Sequence, residues 1–210
     1  MTDDAADAFR HRTVLSDGSV YRVVPVEAGV RAIRAWVEHP WPMSPAQALA
    51  LRDRLGWTSS LTNERMFTTD HGIGEKDASF NTIEAGGDTR TVSSFHLSLT
   101  SRIPKPVRAE AVPIAGRAFD AYVEALTAVY GQGKRSRNRG VLSVKWTLPS
   151  DTLVNIGTIG RVVSVDVNSP ALNEIARGEA QYFAEIADEN DVPYIDIDNP
   201  DSIDIDNPDS

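Results

Sequence analysis

The chain predicts an α+β fold: a mostly antiparallel sheet with helices packed on one face. Three observations carry that expectation. Its strand-like stretches alternate, as in Phe95, Leu97 and Leu99 against His96, Ser98 and Thr100. Such a pattern suits a sheet with one wet face, whereas buried parallel strands read as continuous apolar runs. The stretches of helical period stand between groups of strands and do not alternate with them one for one. Finally, 210 residues with 41% hydrophobic content suffice for one mid-sized core.

Taken in order, residues 12–26 (RTVLSDGSVYRVVPV) read as a hairpin turning at Asp17-Gly18 between two β-branched runs. Residues 27–39 follow as a helix, with Val30, Ile33 and Val37 at helical spacing, Trp36 beside that stripe, and Pro40-Trp41-Pro42 breaking it. Ser44-Pro45-Ala46-Gln47 is a capping box with proline at the first helical position. The helix it opens carries Leu49, Leu51 and Leu55 and ends at Gly56. Strands are expected near 58–62, 65–69, 78–83 and 91–100. The longest helix spans 108–130, where Ala115, Phe119, Tyr122, Leu126 and Val129 recur at steps of four and three. Residues 131–140 (GQGKRSRNRG) read as an exposed basic loop. Strands over 141–148, 152–156 and 161–167 come next, and Ser169-Pro170 opens a last helix to about residue 186.

The domain organisation expected is a flexible segment over 1–11, one α+β domain over 12–187, and an acidic disordered tail over 188–210. That tail contains the octapeptide IDIDNPDS twice, at 195–202 and 203–210. Its nine carboxylates equal the whole net charge of −9, so residues 1–187 are formally neutral. A neutral body gives no reason to expect nucleic acid, which calls for a basic face. The tail is not a calcium loop, because Pro200 and Asp201 stand where the glycine turn belongs and no glutamate follows.

Several chemistries are excluded or disfavoured. With no cysteine there is no disulfide framework, thiolate zinc site or cysteine nucleophile. No run approaches 18 apolar residues, and Asp3, Asp4 and Asp7 make the first residues unlike a secretory signal, so a cytoplasmic protein is expected. His71-Gly72-Ile73-Gly74 lacks the third glycine and the following helix of a dinucleotide fingerprint. Gly131-Gln132-Gly133-Lys134 follows a helix and has Ala128 and Arg135 where a phosphate loop needs glycine and a hydroxyl residue. There is no His-Glu-x-x-His and no Gly-x-Ser-x-Gly elbow.

Three features remain as candidates. Asp70, His71, Glu75 and Asp77 form the densest titratable cluster, a solvated loop or an ion- or acid/base-bearing one, with His96 on the polar side of its strand. Lys134, Arg135, Arg137 and Arg139 place four positive charges in six residues, facing solvent, an acidic partner, RNA or the chain's own tail. The lack of stacking aromatics nearby disfavours RNA. Trp36 and Trp41 flank His39-Pro40 and Trp57 follows Gly56; Trp41, set between two prolines in the helix break, either staples the two helices together or anchors a partner, while Trp146 reads as core.

The Leu51-x-x-x-Leu55-Gly56-Trp57 helix end, the Thr69-Asp70-His71-Gly72-Ile73-Gly74 turn, Val129-Tyr130-Gly131 and the lone Trp146 strand carry a resemblance over about 30–182. They resemble an uncharacterised actinobacterial family of cytoplasmic proteins, a domain of unknown function. The resemblance implies no catalytic residue, and places some members beside secreted-toxin and type VII secretion loci. The order of elements also looks like that of secretion-chaperone folds, from which the N-terminal hairpin and acidic tail depart. Together these features lead to the expectation of a non-enzymatic protein-binding protein, without cofactor or metal. It would be an immunity protein or a secretion-type chaperone for a toxin or secreted client, with a homodimer possible and no membrane or nucleic acid engaged. The partner-binding candidates are Trp36, Trp41, Trp57, His71, His96, Lys134, Arg135, Arg137 and Arg139. The alternative is a small-ligand or metal-dependent enzyme or sensor using the Asp70-His71-Glu75-Asp77 loop.

Overall fold

The structure, a computed structural model, describes residues 11–86 and 89–189. Chain contacts divide it into two units, Met1–Asn173 and Glu174–Ser210. The first unit begins with a hairpin, β1 (Arg12–Val14) and β2 (Val20–Arg22), turning at Gly18 with φ +81°. Helices α1 (Val26–Val37) and α2 (Pro45–Arg54) follow. The capping box at α2 is complete: the Gln47 N–H donates to Ser44 Oγ at 3.3 Å, and the Ser44 N–H donates to Gln47 Oε1 at 2.8 Å.

Eight strands then make one antiparallel sheet in two meanders. The first is β3 (Thr58–Ser59), β4 (Met66–Thr68), β5 (Ala78–Glu84) and β6 (Arg90–Ser98). After a 3-10 turn at Lys105–Val107, helix α3 (Arg108–Tyr130) leads to the second meander. Its strands are β7 (Lys134–Asn138), β8 (Val141–Thr147), β9 (Leu153–Thr158) and β10 (Val163–Asn168). The order across the sheet is β3-β4-β5-β6-β10-β9-β8-β7. Each meander therefore starts at an outer edge and works inward, and β6 and β10 meet in the middle with Leu97 opposite Val165. Helix α3 carries the chain from the centre to the far edge, a span its 23 residues cover at about 1.5 Å each.

The α+β expectation holds, with helices on one face of the sheet. That face contributes Phe80, Phe95, Leu97, Val144, Trp146, Val154, Ile156, Val165 and Val167 to the core, where Ala32, Ile33, Ala115, Phe119, Tyr122 and Leu126 of the helices join them. At the α1–α3 crossing, Gly29 is required: a Cβ there would lie 2.2 Å from the Tyr122 hydroxyl. That hydroxyl donates to the Val24 carbonyl at 2.9 Å, and its burial pushes its pKa far above the ordinary phenol value.

One expected loop is a strand. Residues 134–138 pair with β8 as the outermost strand of the sheet, and Arg139 (φ +46°) and Gly140 (φ +81°) form the tight turn between them. Two successive positive φ angles define the hairpin turn usually announced by Asn-Gly, so Arg139 in the first position hid the signal. Helix α4 (Pro170–Glu189) runs from the end of the first unit into the second, where Tyr182 and Phe183 meet edge to face at 5.8 Å. The tail beyond residue 189 and the segment 1–10 lie outside the described residues. Among the described residues, no helix is long and apolar enough to cross a membrane.

Candidate functional site

The sheet face opposite α1–α3 is polar. Its inventory follows from the period of two: each buried core residue alternates with a neighbour on the other side. Thus Ser94, His96 and Ser98 of β6 lie beside Ser164 and Asp166 of β10, Asn155 and Gly157 of β9, and Ser143 and Lys145 of β8. Cross-strand hydrogen bonds tie the face together. His96 Nδ1 lies 2.8 Å from Asp166 Oδ1, Asn81 Nδ2 donates to Ser94 Oγ at 3.1 Å, and the hydroxyls of Ser136 and Ser143 are 2.8 Å apart.

Over the second meander this face hollows into a groove of about 720 Å³. Its rim brings Arg102 and Arg108 from the segment leading into α3, Arg139 from the β7–β8 turn, Lys145 from β8 and Arg161 from the β9–β10 turn. Ser136, Ser143, Asn155, Gly157 and Ser164 line it between those cations. Asp166 is the one carboxylate lining the groove, and it already faces His96. Among the described residues, none of the five cations has an ion-pair partner. Five like charges around one hollow repel each other, and a low-dielectric wall focuses their field on whatever enters. Among the described residues none donates to the buried Oδ1 of Asn155, an unused acceptor in the groove lining. Chemically the groove can hold an anion by charge and by hydroxyl and amide donors. It has no aromatic ring on which a nucleobase would stack.

The sequence-predicted residues scatter. Trp36 is fully buried and stacks on Phe95 with centroids 4.1 Å apart, while Trp57 is buried 6.0 Å from the same ring. Both belong to an aromatic core with Phe67 and Phe80, so neither is offered to a partner. Trp41 is partly buried against that core, the position of a staple between α1 and α2.

The Asp70-His71-Glu75-Asp77 loop does not converge as a reactive cluster. Asp77 is buried, and its two oxygens accept from the Thr69 N–H and Thr69 hydroxyl, each at 2.7 Å. Burial pushes its carboxyl above the usual range, against the opposing pull of those two donors. The aspartate thereby clamps the turn that returns the chain from β4 to β5. His71 sits edge-on to Trp57 at 6.4 Å, with Nδ1 3.4 Å from Asp70 and a buried Nε2 that has no hydrogen-bond partner among the described residues. Asp70 and Glu75 are exposed. No three His, Asp or Glu residues among those described lie close enough to hold a metal ion.

The basic run is divided by its strand. Lys134 and Ser136 lie opposite Lys145 and Ser143 on the groove side, whereas Arg135 and Arg137 lie opposite Val144 and Leu142 on the other. Only Arg139 of the four charges lines the groove. Sequence reasoning missed Arg102, Arg108, Lys145, Arg161 and Asp166. Their one signal was Lys145 on the outward side of the Trp146 strand; the others come from distant turns that only the sheet order brings together.

No curated protein and no solved structure matches the chain. Residues 27–169, which span α1 through β10, match the profile of a family of unknown function, DUF6301, and the chain belongs to that family.

Proposed function

We propose that this protein is a non-catalytic binding protein whose cationic groove engages an acidic surface of a protein partner. The partner would be a toxin held by an immunity protein, or a secreted client held by a chaperone. The observation that supports this reading is the set of five cations around one polar groove, unpaired among the described residues and built from turns and strands distant in sequence. Five like charges gathered around one hollow, without an ion-pair partner among the described residues, repel one another, and a bound polyanion would offset that repulsion. The polar face, lacking an aromatic platform, favours carboxylates over nucleic acid. Asp77 serves the turn, so the loop around His71 is read as scaffold for β4 and β5.

The test uses affinity capture from native lysate by the full chain and by an Arg102→Glu/Arg161→Glu variant of equal melting temperature. The expected result is one protein retained at stoichiometric level by the natural chain, released by high salt and absent from the variant. Equal retention by both chains, or no retained protein, overturns the reading. Limited proteolysis of the captured complex then separates the two roles: a protected, folded partner marks an immunity protein, and a protease-sensitive one marks a chaperone.

A further inference from the structure

Strand β7 is the outer edge of the sheet, and all five of its residues are exposed. The two-residue turn at Arg139-Gly140 fixes which of its backbone groups are free. Residues flanking such a turn form a hydrogen-bonded pair, and pairs alternate from there along the ladder. Asn138, Ser136 and Lys134 therefore bond to β8, while the N–H and C=O of Arg135 and Arg137 point outward, with no strand beyond them among the described residues. An exposed edge of this length is normally blunted by charge, and here the charge has one sign only. Above the sheet plane stand Lys134 and the neighbouring Lys145; below it stand Arg135 and Arg137.

We infer that the β7 edge is a docking site that takes an extended acidic segment of the partner as a ninth, added strand. Backbone pairing with Arg135 and Arg137 supplies the hydrogen bonds. Carboxylates at adjacent positions of the segment project to opposite faces and so meet the cations on each side of the sheet. A second copy of this chain is a poor occupant, because pairing β7 with β7 brings like charges together. This inference rests on the proposed binding function and specifies how the partner is gripped.

The probe is an acetylated seven-residue peptide in which pairs of adjacent glutamates are separated by single valines, so that carboxylates project from both faces of the extended chain, added to the full chain at low salt. Amide exchange of Arg135 and Arg137 is expected to slow on binding, while that of Ser136, already paired to β8, stays unchanged. Arg137→Pro removes an outward N–H without touching the ladder to β8, and is expected to weaken the peptide about tenfold. Arg137→Gln, which loses the charge and keeps the N–H, is expected to weaken it roughly two- to threefold. A peptide carrying N-methyl groups at its pairing positions is expected not to bind.

Equal binding by Arg137→Pro and by Arg137→Gln overturns strand addition in favour of charge alone, and so does binding by Arg137→Pro as tight as that of the natural chain. No binding of the peptide at low salt also overturns it, and so does a concentration-dependent dimer of the chain that Arg137→Pro abolishes. None of these outcomes bears on the capture experiment, whose variant leaves Arg135 and Arg137 in place.

Discussion

Asp77 separates two kinds of polar residue that look alike in a sequence. It lies in the densest run of titratable residues, yet both its oxygens are committed to Thr69 and the side chain is buried. The same burial raises its pKa, so the native state holds that proton more tightly than the unfolded chain does. Asp77's contribution to stability is therefore fully present below about pH 4 and is lost as pH rises through the raised value. Asp77→Asn cannot ionise. Its melting temperature is expected to be lower than that of the natural protein near pH 4, through the weakened Thr69 contact, and to close on or overtake it towards neutral pH. A gap that is constant or widens with pH, measured by thermal denaturation at several pH values, would refute this account. Composition made the loop visible, but whether an aspartate faces solvent or a neighbouring threonine depends on a turn whose shape no local pattern encodes. For Trp36, beside the proline break, and Trp57, just after Gly56, local sequence likewise left burial undecided; stacking on Phe95, some 60 positions from Trp36 and 40 from Trp57, resolves it.

Elements with strong local punctuation were legible. The boundaries of α3 and the capped start of α2 agree with the periodicity and the Ser-Pro-x-Gln signature. Misreading came where local chemistry was silent. Strand β7 has no buried residue, so it has no alternation to detect, and its turn uses arginine where asparagine is usual. The packing of α1 on α3 is another feature no local pattern reveals, since Gly29 lies within the first turn of α1, where alanine has the better intrinsic propensity. Gly29→Ala is nevertheless expected to destabilise the protein by about 1–3 kcal/mol, because the added methyl overlaps the Tyr122 hydroxyl and displaces its bond to Val24. Chemical denaturation measures this, and a neutral or stabilising effect would mean that the two helices can part at little cost.

For the molecule as a whole, the α+β class was readable from alternation, while the strand order was not. Nothing in the residues of β10 announces that it pairs with β6 and not with a strand beyond β9, and the groove depends on that arrangement. Its cations come from residues 102 to 161, so the site exists only once the second meander is in place. The charge budget of the chain is also a global property. Removing residues 188–210 deletes nine carboxylates and leaves a formally neutral chain. Because that segment has few apolar residues, truncation after Ala187 is expected to leave the melting temperature nearly unchanged in calorimetry. A large drop would show that the segment contributes to the folded state.

The meeting of β6 and β10 at the centre of the sheet has a consequence for biosynthesis. As the polypeptide leaves the ribosome, β6 emerges with Phe95 and Leu97 in place, but its partner follows far behind: Asp166 trails His96 by 70 positions. Throughout that interval the nascent chain carries a half-paired ribbon with one apolar face, which is the kind of surface that is prone to aggregation and that chaperones shield.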